Sequence, residues 1–312
     1  MFIATLPAVH QRELMERIVS CDAVDGVRFN VGVSQADSPR ETLEQVLELA
    51  ERYNKKFWLD LKGRQLRITQ WAAPIFGKIV LNHEVEVDVP ARICFRGNEY
   101  SEVKVVRGNT IYVDPPPPKA VGGGQAVNIL GKNLAIKGYL TDDDREYLAS
   151  AKTLGVKNFM LSFVESAQDT CDVARELGEA AKDARMVLKI ESPKGLAFVA
   201  SGFDDAPSGC TLMAARDDMF INIGDKKFHM IHALRSIIDR DPNAICASRI
   251  FSGIEQEGMV TMGDISDIVL MRYLGYKHFM LSDGVCNRHF DAAIEAWHDI
   301  RMFLEKENLW DE

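Results

Sequence analysis

Charged side chains stand at the ends of two apolar runs in the second half of the chain. Lys189 and Glu191 end the segment Met-Val-Leu-Lys-Ile-Glu, and Arg216, Asp217 and Asp218 directly follow Met-Ala-Ala. A lysine in such a run must find an anion, because a buried unpaired charge is destabilising. Carboxylates such as Glu191 and Asp218 are oxygen ligands for Mg²⁺ or Mn²⁺. Cations and a metal around an anion serve phosphoryl transfer, or an enolate formed beside a carboxylate.

Other apolar runs end in polar residues as well. These residues are Arg28, Asn30, Asp60, Ser162, Ser248 and Asp283. Each one alone is also explained by a strand that ends in solvent. Their recurrence favours one common site, in which Arg28, Lys189 and Arg216 neutralise a phosphate or carboxylate. Backbone N–H groups at the helix start after Ala215 would also suit a carboxylate.

The apolar runs are eight in number and do not alternate strictly, which is typical of parallel strands covered on both faces. They are Phe2–Thr5, Val24–Asn30, Lys56–Leu61, Lys157–Ser162, Arg185–Glu191, Cys210–Ala215, Ala244–Ser248 and Lys277–Ser282. Helical patterns alternate with them, over Ala8–Val19, Ser38–Tyr53, Thr141–Thr153, Ala167–Ala181, Lys194–Ala200, Lys226–Asp239, Asp264–Leu274 and Asp291–Glu305. Eight β–α units predict an α/β fold, a (β/α)8 TIM barrel, with its active site at the carboxyl ends of the strands.

The segment from 65 to 138 differs from the rest of the chain. Its short stretches alternate apolar and polar residues, which predicts antiparallel strands, and Pro115–Pro118 and Gly122–Gly124 interrupt them. We therefore expect a small β lid domain over residues 65–138, inserted after the third barrel strand. The barrel itself would comprise residues 1–64 and 139–312.

Composition excludes several classes of protein. The 312 residues contain 37 Lys and Arg against 46 Asp and Glu, a net charge of −9, which argues against a nucleic-acid partner. No apolar run approaches 18 residues and the N-terminal segment lacks the pattern of a signal peptide, so we expect no membrane partner and a cytoplasmic protein. The six cysteines form no Cys-x-x-Cys pair, which favours reduced thiols. Homo-oligomerisation is common among barrels and is expected here.

Eight motif regions resemble, in the right order, the motifs of the pyruvate kinase family. The strongest matches are Leu59–Gly63, which resembles the family's Leu-Asp-Thr-Lys-Gly, and Lys189–Glu191, which resembles its Lys-Ile-Glu. The other regions are Val27–Gly32, Val127–Gly131 with Leu140–Asp144, Leu161–Glu165, Met213–Phe220, Ile245–Ile250 and Met280–Val285. The resemblance covers nearly the whole chain at low identity.

This resemblance implies substrates and roles. Phosphoenolpyruvate or pyruvate would be the small-molecule substrate, with ADP or ATP as the partner nucleotide and Mg²⁺ or Mn²⁺ as the cofactor. Lys189 would act on the phosphoryl group, Glu191 and Asp218 would bind the metal, Arg28 would contact phosphate, and Ser248 would adjoin the substrate's carboxylate and methylene. The substrate-binding set would be Arg28, Asn30, Asp60, Arg216, Asp217 and Ser248. The inserted β domain would close over the nucleotide.

Departures from the family pattern are equally informative. The family binds K⁺ through Asn, Ser, Asp and Thr; Asn30 and Asp60 match, but Gly32 and Leu61 replace the two hydroxyl residues, so K⁺ dependence is in doubt. Asp217 replaces a glycine and would add a metal ligand or repel the substrate carboxylate. The sequence ends after the eighth predicted helix, so we expect a short member without the family's C-terminal domain.

Two alternatives to the kinase hypothesis remain open on the sequence. A metal-dependent lyase or aldolase would use a pyruvate enolate held by Glu191, Asp218 and the metal, with Arg28 beside the enolate. It would need a base, either Asp60 or a metal-activated water. A non-catalytic member would have a broken metal pair, whereas both carboxylates are present here.

Overall fold

A computed structural model describes residues 1–33, 37–70, 77–96 and 99–307. In chain order the strands are β1 (Phe2–Thr5), β2 (Gly26–Asn30), β3 (Lys56–Leu61), β4 (Lys78–Val80), β5 (Val85–Glu86), β6 (Ala91–Arg96), β7 (Glu99–Arg107), β8 (Thr110–Asp114), β9 (Asn128–Leu130), β10 (Ala135–Ile136), β11 (Asn158–Leu161), β12 (Arg185–Ile190), β13 (Cys210–Ala215), β14 (Ile245–Ala247) and β15 (His278–Met280). The helices are α1 (Arg12–Val19), α2 (Pro39–Arg52), α3 (Asp142–Thr153), α4 (Ala167–Leu177), α5 (Pro193–Ser201), α6 (Arg216–Asn222), α7 (Met230–Arg240), α8 (Ser252–Glu257), α9 (Met262–Leu274), α10 (Asp283–Arg288) and α11 (Phe290–Lys306).

Eight of these strands close into a parallel barrel, in the order β1, β2, β3, β11, β12, β13, β14, β15 and back to β1. The predicted barrel is therefore confirmed, and every strand lies within two residues of its predicted bounds. The runs lack alternation because both faces are buried: one face packs against the surrounding helices, and the other fills the barrel interior with side chains such as Trp58, Met160, Val187 and Met213.

All eight predicted helices are present, although their ends differ. Ser38 caps α2 in a capping box with Glu41, and Thr141 caps α3 with Asp144, so each helix begins where its polar residues satisfy the free N–H groups. Three short helices, α6, α8 and α10, were missed. Each follows a barrel strand closely and is too short for helical periodicity to show in the sequence.

Between β3 and α3 the chain forms antiparallel β structure. A five-stranded sheet has the order β4-β8-β7-β6-β9, and β5 pairs with β10. The sheet encloses its own apolar cluster, which includes Ile79, Ile93, Val103 and Ile129. This region is called the β module below. Its assigned limits of 65 and 138, and its action as a lid, stay predictions.

All six cysteines are free thiols, and they differ in burial. Burial raises the pKa of Cys246 to about 11 and that of Cys286 to about 12, so neither forms thiolate near pH 8. We expect a chromogenic disulfide reagent to label exposed Cys171 rapidly in the native protein, and Cys246 and Cys286 only after denaturation. In the Cys171→Ser variant, the rapid labelling should disappear. Rapid labelling of Cys286 in that native variant would contradict the expectation.

Across the described ranges, no helix combines the length and the apolar character needed to cross a bilayer.

Candidate active site

Four adjacent strands bring polar side chains to one end of the barrel. β2, β3, β11 and β12 are neighbours, and Arg28, Asp60, Ser162 and Lys189 lie at or near their carboxyl ends. Pairing of β2 with β3 sets Asn30 opposite Asp60. The carboxyl ends of the barrel strands therefore bring together residues that are up to 161 positions apart in sequence.

The ammonium group of Lys189 lies at the centre of this set. Its Nζ donates to Ser162 Oγ at 2.7 Å and lies 3.3 Å from Asp60 Oδ2 and 3.4 Å from Glu191 Oε1. The side chain is only 8% exposed. Asp60 and Glu191 are the anions that a lysine in an apolar run requires, and together they hold its charge at one point of the barrel end.

Arg28 is fixed from the other side of Asp60. Its Nε donates to Asp60 Oδ2 at 2.6 Å, and Nη1 donates to Thr5 Oγ1 at 3.1 Å. Burial alone would raise the pKa of Asp60, but the charges of Lys189 and Arg28 outweigh it and lower that pKa. Asp60 is therefore ionised at neutral pH and holds both cations in place.

Glu191 is buried and held by a strained backbone. The N–H of Phe163, a residue with a positive φ of 52°, donates to Glu191 Oε2 at 2.7 Å. A non-glycine residue in this left-handed region is uncommon and marks a locally enforced geometry. Burial raises the pKa of Glu191 to about 7; Lys189 opposes the shift and the negative charge of Asp218 adds to it.

Asp218 connects the barrel to the β module. Its Oδ1 accepts from Asn128 Nδ2 at 2.9 Å, and its Oδ2 accepts from Gln65 Nε2 at 3.4 Å. Asn222, one turn along α6, donates to both Asn128 Oδ1 and the backbone oxygen of Glu191, at 2.9 and 3.0 Å. The Asp218 carboxylate is thus connected through two amide side chains to the backbone oxygen of Glu191.

Two carboxylates, Glu191 and Asp218, suit a metal ion that takes its remaining ligands from the substrate. They are too few for a site in which the protein supplies every ligand. In the described part of the chain, no three or more His, Cys, Asp or Glu side chains are grouped as a metal centre. Mg²⁺ commonly uses only one or two carboxylates and takes its other ligands from substrate and water. The raised pKa of Glu191 reflects burial and the nearby charge of Asp218, both of which a divalent cation would offset.

Arg216 is engaged with protein groups. It forms a two-pronged ion pair with Asp267 at 2.7 and 2.8 Å, and its Nε and Nη2 donate to the Ser248 backbone oxygen at 3.0 and 2.7 Å. Ser248 and Arg249 both have a positive φ, 64° and 60°. Arg216 therefore holds the strained turn that carries Ser248, and its contact with substrate stays a prediction.

Asp217 lies on the outer side of the same helix start. Its Oδ1 accepts from Arg249 Nε at 2.6 Å, and both side chains are about half exposed. This ion pair directs Asp217 toward Arg249, while Asp218 makes the contacts with Gln65 and Asn128. The substrate role and the metal role of Asp217 stay predictions.

Comparison with known proteins places this chain in a family. Residues 103–292 match the family model described as pyruvate kinase, barrel domain. The chain belongs to the pyruvate kinase family. It is 21% identical to pyruvate kinase II of Salmonella typhimurium over 335 aligned residues, which cover 96% of this chain and 68% of that protein. Pyruvate kinases of Thermoplasma acidophilum and Haemophilus influenzae are 25% and 23% identical, over 99% and 96% of this chain and 59% and 69% of theirs.

For this member of the pyruvate kinase family, sequence reasoning missed several polar groups of the site. Ser162 was recognised at a strand end but was given no role of its own, and Thr5, which ends the first predicted strand, could have been found by the same rule. Asn128 and Asn222 carried no such signal, because one lies in the β module and the other in a short helix that the sequence does not reveal.

Proposed function

We propose that the chain catalyses metal-dependent phosphoryl transfer between phosphoenolpyruvate and a nucleotide. The observation that carries the proposal is Lys189, a nearly buried cation fixed between Asp60, Ser162 and Glu191 at the catalytic end of a pyruvate kinase-family barrel. In phosphoryl transfer, proteins act mainly through preorganised cations that stabilise the negative charge of the transition state.

The charges of the site support this proposal. Arg28 and Lys189 are balanced by Asp60 and Glu191, and the charge of Asp218 is balanced by nearby Arg67, so these side chains carry no net positive charge. A multiply charged phosphate ester would therefore need more positive charge than the side chains supply. A divalent cation at Glu191 and Asp218 would supply that charge and polarise the phosphoryl group.

The chain's own residues then have separate tasks. The phosphorus–oxygen bond to the enol breaks as a bond to a nucleotide oxygen forms, and Lys189 and Arg28 stabilise the charge on the phosphoryl oxygens. The enolate left behind takes up a proton at its methylene carbon to give pyruvate. Ser248, on the turn held by Arg216, would lie beside that carbon.

The deciding experiment is pyruvate release from phosphoenolpyruvate, measured with and without ADP in the presence of Mg²⁺ or Mn²⁺. Release that depends on ADP supports the kinase. No release, together with metal-dependent stabilisation by oxalate, would contradict it and favour the lyase that uses a pyruvate enolate. Absence of both turnover and metal binding would favour a non-catalytic member.

We expect this turnover to need no added K⁺. Two hydroxyl residues of the family's K⁺ site are replaced by Gly32 and Leu61. Asp60 already faces cations, with Arg28 Nε at 2.6 Å and Lys189 Nζ at 3.3 Å. Rates in KCl and in tetramethylammonium chloride of equal ionic strength should agree within about twofold, a difference near 0.4 kcal/mol. A tenfold activation by K⁺ would refute this expectation.

A further inference from the structure

A cavity opens at the end of the barrel opposite the candidate active site. Its volume is about 370 Å³, and residues at the amino ends of the strands and the loops before them form its wall. The residues that line the cavity include Lys56, Trp58, Arg185, Thr211, Asn243 and Ile245. The interior of such barrels is normally filled by side chains, and a space of this size suits a small molecule.

The cavity is cationic although the chain is acidic overall. Lys56 Nζ lies 4.5 Å from the centre of the Trp58 ring, and burial together with the charge of Arg185 lowers the pKa of Lys56. Within the described residues neither Lys56 nor Arg185 forms an ion pair. The neighbouring carboxylate, Asp25, accepts from the Phe2 backbone N–H and lies 3.9 Å from the Met1 nitrogen.

Trp58 forms part of the same wall. The residue is 4% exposed, and its indole Nε1 is buried without a hydrogen-bond acceptor among the described residues. Buried indole N–H groups usually have an acceptor, and an unpaired one is unfavourable in the folded protein. The N–H is covered by protein beside Gly26, so the indole offers the cavity its ring.

We propose that this cavity binds a small organic carboxylate with an apolar body. The carboxylate would be paired by Arg185 and Lys56, since a guanidinium matches the two oxygens of a carboxylate. Val187 and Ile245, which also line the cavity, would contact the apolar part of the ligand. The site is independent of the proposed kinase activity, because it lies at the other end of the barrel and its test needs no turnover.

The test uses the full chain. Any purification tag is placed at the C-terminus, because Met1 also lines the cavity. Benzoate is titrated by calorimetry against its neutral analogue benzamide and against inorganic phosphate. Benzoate should bind at least about tenfold more tightly than benzamide, a difference of 1.4 kcal/mol. Equal binding of the two, no benzoate binding, or tighter binding of phosphate would each overturn the proposal.

Variants locate the bound benzoate. Lys56→Gln and Arg185→Gln should each weaken benzoate binding at least about fivefold, because each removes a cation that pairs with the carboxylate. Lys157→Gln, an exposed lysine at the same end of the barrel that does not line the cavity, is the matched control and should change binding less than about twofold. Benzoate binding that survives Lys56→Gln but is lost in Lys189→Met would place the anion in the active site and overturn the assignment.

Discussion

Replacing Lys189 by methionine should lower ADP-dependent pyruvate formation about 10²–10³-fold, because removing one preorganised electrostatic group costs about that much in rate and this lysine is the central cation of the site. Methionine keeps much of the side-chain length and apolar contact but removes the charge that contacts Asp60, Ser162 and Glu191. Initial rates at saturating metal, ADP and phosphoenolpyruvate measure the effect. The matched control is Lys182→Met, an exposed lysine that precedes the same strand and pairs with Glu179.

This substitution must also be checked for folding. Removing one member of a buried ion pair leaves its partners uncompensated and typically costs about 3–5 kcal/mol. We therefore expect a lower melting temperature for Lys189→Met, with an unchanged far-ultraviolet circular dichroism spectrum at assay temperature. A folded Lys189→Met protein that retains a tenth or more of the wild-type rate would refute the role of Lys189. A folded wild-type protein without turnover would instead refute the kinase assignment itself.

The barrel and the centre of its site were predictable because both follow from local patterns. Short apolar runs marked the strands, and parallel strands in a closed barrel end on one face. Lys189, Asp60 and Arg28 were thus placed near one another without any long-range information. Their distances of 2.6–3.4 Å arise from the register between β2, β3, β11 and β12.

The direction of individual side chains was less predictable. Arg216, Asp217 and Asp218 are consecutive, yet they face Asp267, Arg249 and the β module respectively. The short helix α6 determines these directions, since successive residues on a helix point about 100° apart. A helix of seven residues is too short to show a periodic pattern in the sequence. The partner of Arg216, Asp267, lies 51 positions later, so the sequence does not reveal this contact either.

Replacing Glu191 by glutamine should abolish stabilisation of the protein by Mg²⁺ and lower turnover about 10²–10³-fold. A ligand that binds only the folded state raises the free energy of unfolding, so the melting temperature should rise with Mg²⁺ in the wild type and stay constant in Glu191→Gln. The amide keeps the size of the side chain and removes one of the two carboxylates near the proposed metal position. Glu165→Gln is the matched control, because Glu165 lies at the same end of the barrel and accepts from Ser192, outside the Glu191–Asp218 pair.

The metal-free protein offers an independent readout of the same carboxyl group. Its pKa is raised from 4.5 to about 7 in the folded state, so between these values the folded protein holds the proton that the unfolded chain has released. The contribution of Glu191 to the free energy of unfolding should therefore fall as pH rises through this window and level off above it, while His278, whose pKa burial lowers from 6.5 to about 4, contributes an opposite rise. Glu191→Gln removes this titrating group, so the free energy of unfolding of the wild type minus that of Glu191→Gln should fall across the window, whereas Glu165→Gln should follow the wild-type profile. A Glu191→Gln protein that keeps both the metal-induced rise in melting temperature and the wild-type pH profile would show that the metal binds elsewhere and that Glu191 is only a structural carboxyl group.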